Sequence, residues 1–127
     1  MLLKHVALAC RSEEQSDRFY CGLLGLEKVR SKTLPNALAK QIFDVDHSCK
    51  IIDYSDGTLH FEIFIGNPTR SGNGIVEHIC LEVDDLDAFL EKCNDMEVKL
   101  IQVPKGESVL TFIHDFDGNV FEIKGKE

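Results

Sequence analysis

Two stretches of this 127-residue chain repeat one phrase, "DGTLHFEIF" at residues 56–64 and "DGNVFEIK" at residues 117–124. Each sets a single glutamate, Glu62 or Glu122, into the middle of an otherwise apolar, strand-like run. The repetition extends backwards through the chain. Aligning Lys4-His5-Val6 with Glu77-His78-Ile79, and Phe61-Glu62-Ile63 with Phe121-Glu122-Ile123, registers two halves at both ends with only loop-length differences between them. Such self-similarity marks an internal duplication, which points to a fold built from two copies of one supersecondary unit.

The unit can be followed element by element. In the first half "HVALAC" is a strand, and "RSEEQSDRFYCGLLGL" is a helix opened by a capping box, Ser12 with Gln15 three residues on. Phe19, Tyr20, Leu23 and Leu24 recur at helical spacing, and Gly25 is placed to end the helix. The runs "LEKVRS", "LAKQIFDV", "CKIIDY" and "LHFEIFI" then read as strands, giving βαβββ with one extra strand or a long hairpin. The second half repeats the plan. "EHICLEV" is a strand, Asp84 caps a helix carrying Leu86, Phe89, Leu90 and Cys93, and "VKLIQV", "SVLTFIH" and "NVFEIK" complete a second βαβββ. Between the halves "GNPTRSGNG", residues 66–74, crowds glycine, asparagine, proline and serine and interrupts the hydrophobic periodicity. The expected organisation is one α+β domain over residues 1–127, with module one over about 1–66, a linker over 67–74 and module two over 75–127.

Side chains alternate across a strand, so the faces can be assigned. Val6, Leu8 and Cys10 share one face of the first strand, and His5, Ala7 and Ala9 the other. By the same rule Ile79, Leu81 and Val83 oppose His78, Cys80 and Glu82, while Phe61 and Ile63 oppose Glu62, and Phe121 and Ile123 oppose Glu122. With the apolar faces under the helices, His5, Glu62, His78 and Glu122 all project from the uncovered side. An isolated carboxylate in a partly dry cavity is unfavourable, and a divalent cation neutralises it. Two neutral imidazoles with two carboxylates suit Zn2+, Ni2+, Co2+ or Fe2+. Such a site leaves positions open for water or for two neighbouring oxygens of a substrate.

Composition removes several alternatives. A 127-residue chain that is 43% hydrophobic can bury one compact core and little more. The balance of 14 basic against 22 acidic residues, net -8, repels nucleic acid phosphates and anionic lipid, so neither nucleic acid nor membrane is an expected partner. No run approaches the roughly 18 apolar residues of a membrane span, and Lys4 and His5 interrupt "MLLKHVALAC", so no signal peptide is expected either. The five cysteines are odd in number and include no C-x-x-C pair, which suits a reducing compartment. The expected location is the cytoplasm.

"HVALACRSEEQSDRFYCGLLGLEKV", "HICLEVDDLDAFLEKC" and "FDGNVFEIK" together resemble the vicinal oxygen chelate superfamily, the glyoxalase/bleomycin resistance group, over nearly the whole chain. The most specific part is a histidine on the first strand and a glutamate on the last strand of each half, the ligand set of glyoxalase I. The resemblance implies paired βαβββ modules forming an incomplete mixed β-barrel around a divalent metal, in a homodimer whose sites draw ligands from one chain or from two. It implies His5, Glu62, His78 and Glu122 as metal ligands, with Ni2+ or Co2+ favoured over Zn2+ or Fe2+. It also implies a lyase or isomerase that abstracts a proton from a small substrate such as the thiol hemithioacetal of methylglyoxal. The metal would bind two adjacent oxygens and stabilise the enediolate, with Glu122 the first candidate base and Glu62 the second. Short bacterial glyoxalase I proteins carry a first-strand arginine that helps hold glutathione, where this chain has Ala7 and Ala9, which counts against glutathione as the thiol. Fosfomycin-modifying relatives use two histidines and one glutamate, and methylmalonyl-CoA epimerases have glutamine in place of Glu62. The alternative is a small-molecule binding or antibiotic resistance protein on the same fold.

Each residue also has a plainer role. A lone histidine at a strand start is ordinarily a surface residue, and a glutamate in an alternating strand ordinarily faces solvent, as Glu82 is expected to do. His60 lies two residues from Glu62 on the same face and could join or replace it. His47 and His114 are expected at the surface near turns, Asp117-Gly118 as a hairpin turn, Asp84 and Asp85 as a helix cap, and the cysteines as small core residues. Arg30, Lys40 and Phe43, from the segment "KTLPNALAKQIFDVDHSCKIIDY" and its approach, are candidate pocket residues.

Overall fold

The computed structural model describes residues 2–66 and 76–126. The linker expected over residues 67–74 lies outside the described residues. The chain divides into two compact units, Met1–Thr69 and Arg70–Glu127. Unit one runs β1 (Val6–Cys10), α1 (Glu13–Ser16) continued by a π-wound segment (Asp17–Leu23), β2 (Glu27–Leu34), α2 (Asn36–Phe43), β3 (Cys49–Ser55) and β4 (His60–Ile65). Unit two runs β5 (His78–Val83), α3 (Leu86–Asp95), β6 (Lys99–Lys105), β7 (Ser108–His114) and β8 (Val120–Gly125). Each holds a four-stranded mixed sheet, ordered β1-β4-β3-β2 in one and β5-β8-β7-β6 in the other. In both, the first strand lies parallel to the last and the remaining pairs are antiparallel. The duplication reaches the register itself. Val6 pairs with Phe61 and Ala7 with Glu62, just as Ile79 pairs with Phe121 and Cys80 with Glu122.

The α+β class and the two βαβββ modules are present, with one addition. The run "LAKQIFDV", expected as a strand, belongs largely to α2. Pro35 holds the extended N-cap position at φ -61 and ψ 152, Ala37 to Gln41 are good helix formers, and Asp44 ends the helix in the left-handed region at φ 57. Intrinsic helix preference prevails because the run never sustains the two-residue alternation a half-buried strand requires. Lys40 pairs with Asp44 one turn on at 2.7 Å, so it is spent on α2 itself. The second helix start also differs by one residue. Asp85 is the N-cap of α3, accepting from the Ala88 amide at 3.0 Å, while Asp84 pairs with Lys126 at 2.7 Å.

Beneath the helix of unit one the sheet turns its apolar face. Tyr20 stacks on Tyr54 with ring centroids 5.4 Å apart and meets Phe61 at 5.5 Å, and all three rings are buried. Each ring removed from water contributes roughly 1.5–3 kcal/mol. Polar contacts fix the helix over that face. The Tyr54 hydroxyl donates to Asp17 at 2.7 Å, Lys28 bridges Glu13 and Asp17, and Lys50 donates to Glu13 at 2.6 Å. Burial, reinforced by the Asp17 carboxylate, pushes the Tyr54 pKa far above the ordinary phenol value. Ser12 accepts from the Gln15 amide at 3.2 Å, which realises the expected cap, and Gly25 takes φ +74, a conformation that ends the helix without a Cβ penalty. In unit two Phe121, Ile123, Ile113, Cys93 and Val98 form the corresponding buried set.

One irregularity decides which cations face which way. The pairing of β2 with β3 shifts between Lys28, opposite Tyr54, and Arg30, opposite Asp53. The extra residue, Val29, is a β-bulge that sends Lys28 to the helix side and Arg30 to the opposite side.

Candidate functional site

In unit one, the glutamate of the repeated phrase lies on the sheet face turned away from α1. Glu62 stands between Ala7 of β1 and Asp53 of β3, its side chain 15% exposed. His5, immediately before β1, places Nδ1 3.6 Å from Glu62 Oε2. His60, two residues along β4 on the same face, has its ring centroid 6.0 Å from that of His5. Two cations reach in from β2. Lys32 Nζ lies 3.3 Å from Glu62 Oε2 and 3.6 Å from Asp53 Oδ2, while Arg30 donates to Asp53 Oδ2 through Nε and Nη2, each at 3.0 Å.

In unit two the same construction has fewer charged neighbours. Glu122 stands beside Cys80 of β5 and Phe112 of β7, its side chain 17% exposed. His78 Nε2 is 3.8 Å from Glu122 Oε1, and Lys124 Nζ is 4.0 Å from Glu122 Oε2. The His78 ring is set from behind. Its Nδ1 lies 2.7 Å from the Val76 carbonyl, an acceptor only, so Nδ1 donates there and Nε2 is the nitrogen turned toward Glu122. The Phe112 ring packs edge-on at 5.6 Å and limits where the imidazole can turn.

These separations have a chemical meaning. Distances of 3.6 and 3.8 Å exceed a hydrogen bond, whose donor and acceptor lie at about 2.7–3.2 Å. Ligand atoms roughly 2.0–2.2 Å from a shared divalent ion stand about 3–3.5 Å from one another, so each pair needs only a few tenths of an ångström of adjustment to share one. A carbonyl-fixed histidine tautomer is also the usual outer support of a metal-ligating imidazole. The donor set therefore fits a divalent cation in each unit.

His5 and Glu62 are thus brought together within unit one, and His78 and Glu122 within unit two. Asp53 and Lys32 were missed by the sequence reading. Asp53 carries the same signal as Glu62, a carboxylate inside an apolar run, but "CKIIDY" has no repeated partner to single it out. Arg30 faces the site side and meets Asp53, and Phe43 meets Phe64 with ring centroids 5.4 Å apart. Glu82 and His47 are exposed as expected, whereas His114 is half-buried in β7, where burial and then Lys99 lower its pKa. Cys10, Cys49 and Cys93 are buried, but Cys80 is exposed on the face it shares with Glu122. No helix among the described residues is long and apolar enough to cross a membrane.

Residues 2–123 match the family model described as the Glyoxalase/Bleomycin resistance protein/Dioxygenase superfamily. A "Probable lactoylglutathione lyase" of Synechocystis sp. is 26% identical over 132 residues, 97% of this chain and 94% of that protein. Among solved structures, the fosfomycin resistance protein FosX of Listeria monocytogenes superposes with a TM-score of 0.75 at 16% identity, over 100% of this chain and 94% of that one. A glyoxalase family protein of Enterococcus faecalis gives 0.73 at 20% identity, over 96% and 95%. The Listeria protein complexed with Mn(II) and sulfate gives 0.73 at 18% identity, over 98% and 90%.

Proposed function

The chain belongs to the glyoxalase/bleomycin resistance protein/dioxygenase superfamily, and from its two His–Glu pairs we propose a divalent-metal-dependent lyase or isomerase of the glyoxalase I type. The observation that carries this is the matched geometry, His5 with Glu62 at 3.6 Å and His78 with Glu122 at 3.8 Å, each on the sheet face away from the helix of its own unit. On this reading all four residues are metal ligands, one His–Glu pair from each module. Such a cation, when bound, polarises two adjacent oxygens of a small substrate and lowers the energy of the carbanion formed next to them. The similarity to a lactoylglutathione lyase over 97% of the chain supports a carbonyl-derived substrate of that size.

The chain's own residues then have separate tasks. His78, held by the Val76 carbonyl, presents Nε2 in a fixed orientation. Glu62 has Lys32 at 3.3 Å as well as His5, and is a poor candidate to move. Glu122 has His78 at 3.8 Å and Lys124 at 4.0 Å, a looser set of ionic neighbours, which supports its assignment as the carboxylate that takes the proton from the substrate carbon. Phe112 stands beside it on β7, where module one has the charged Asp53.

One observation favours a second reading. Lys32 neutralises Glu62 with no metal required, as a small-molecule binding or resistance protein on this scaffold would need. Metal content separates the two. Wild-type protein is expected to retain divalent metal after purification and to lose affinity on His78→Ala; an affinity unmoved by that substitution sinks the four-ligand reading.

A further inference from the structure

Unit one holds a second cluster of ligand-type atoms with no counterpart in unit two. Ligand atoms of Asp53, His60 and Glu62 lie within 4.8 Å of one another. Asp53 is 1% exposed, and its two oxygens are treated differently. Oδ2 receives Arg30 at 3.0 Å, whereas Oδ1 is buried with no hydrogen-bond partner. Nε2 of His60 is likewise buried and unpartnered, 3.6 Å from Asp53 Oδ2. Two buried, unsatisfied polar atoms on neighbouring strands are unfavourable unless something fills the space between them. The charge already present there is a cation. The Lys32 ammonium stands 3.3 Å from Glu62 and 3.6 Å from Asp53. Lys32 comes from an edge strand and is one-third exposed, so it can withdraw. A cavity of about 520 Å³ lined by Glu27, Val29, Ser55, Asp56 and His60 reaches the cluster at His60.

We propose that Asp53, His60 and Glu62 form a divalent-cation site of module one alone, in which Lys32 now stands in for the ion. Two carboxylates and one imidazole suit Mn2+, Fe2+ or Zn2+. Arg30 orients Asp53 through Oδ2 and leaves Oδ1 for the ion. The site shares Glu62 with the His–Glu pairs but needs neither His5 nor module two.

The test uses the full chain carrying His78→Ala and Glu122→Ala, stripped of metal and titrated with Mn2+ alone, free ion being read by its electron paramagnetic resonance signal. About one Mn2+ per chain is expected, with affinity falling at least about tenfold on His60→Gln or Asp53→Asn and rising on Lys32→Met. Should Asp53→Asn unfold the chain by stranding Arg30, circular dichroism reports it and His60→Gln decides alone. Absence of Mn2+ binding in the double variant overturns the proposal. So does binding indifferent to His60, which would leave an ordered water as the occupant of the two unpartnered atoms. The four-ligand reading fails by a different result, an unchanged wild-type affinity on His78→Ala, so the two failures are distinguishable.

Discussion

The two modules are the same sentence with different punctuation. Each pairs its first strand with its last in the same register and sets a glutamate beside a histidine on the face away from its helix. They differ in what surrounds the glutamate. Across the antiparallel neighbour Glu62 meets Asp53, but Glu122 meets Phe112. Two residues earlier in the last strand stands His60 in module one and Val120 in module two. On the outer strand module one offers Arg30 and Lys32, whereas Ile101 lies opposite Phe112 in module two. Duplication preserved the ligand pair and let the company diverge, so one glutamate is held in an ionic network and the other beside an aromatic ring. A carboxylate that must change partners belongs in the second setting, and one that must stay belongs in the first.

Glutamine substitution at the two positions tests that contrast with the largest expected effect. Glu122→Gln keeps the size and an oxygen donor but cannot take a proton, so substrate proton exchange with solvent should fall on the order of 10² to 10⁴ while the fold is retained. Glu62→Gln should act instead through metal affinity. Undiminished exchange in Glu122→Gln removes it as the base, and undiminished exchange in both variants removes the mechanism.

Truncating the paired aromatic anchors asks whether the modules are equal in packing. Phe61 and Phe121 occupy matching positions, 2% and 0% exposed. Each Phe→Ala change should destabilise the protein by about 3–5 kcal/mol in denaturant titrations. A several-fold difference between them would show that the duplication stops at the backbone register. Much of this was legible in the sequence. The period-two alternation of "HICLEV" and the repeated "FEI" located the core face and both glutamates, because burial on one side leaves a regular trace. Asp53 left the same carboxylate within an apolar run but no repeat to single it out, and Lys32 left no trace at all. A bulge at Val29 inverts the alternation of β2, so counting by twos would place Lys28, Arg30 and Lys32 on one face, and only the structure divides them. The helix at residues 36–43 was hidden for a different reason, since module two has no equivalent to align with it.

Alkaline titration sets one buried acid of each module against the other. Burial pushes the Cys93 thiol of α3 from 9.0 up to about 11. A group whose pKa is raised in the folded state stabilises it fully below the unfolded value and loses that contribution as pH rises through the folded one. Cys93 thus contributes on the order of 2 kcal/mol below pH 9, lost between about pH 9 and 11. Tyr54 in module one is also raised, so its contribution persists past the ordinary phenol range. Module two should therefore loosen first, with amide exchange of α3 accelerating before that of the β3 strand. Cys93→Ala should remove the slope between pH 9 and 11; a slope unaltered by that change would assign it to another group.

The smallest effects come from the two helix caps, and they ask whether the modules unfold as one. Ser12 accepts from the Gln15 amide and Asp85 from the Ala88 amide, each satisfying one of the donors left open by a helix start. Ser12→Ala and Asp85→Ala should each cost about 1 kcal/mol. Lying in different units with no shared partner, they should add in the double variant. The consequence for melting depends on cooperativity. If the 127 residues unfold in one transition, each change lowers the midpoint of that transition by roughly 3–6 °C. If the units unfold separately, each behaves as a chain of about half that size and the shift is larger, roughly 4–8 °C, but confined to one transition. Calorimetry of the two single variants reads the difference directly. Equal shifts of a single endotherm mean the modules stand or fall together, whereas a Ser12→Ala variant that moves only part of the heat absorption would make each repeated half its own folding unit.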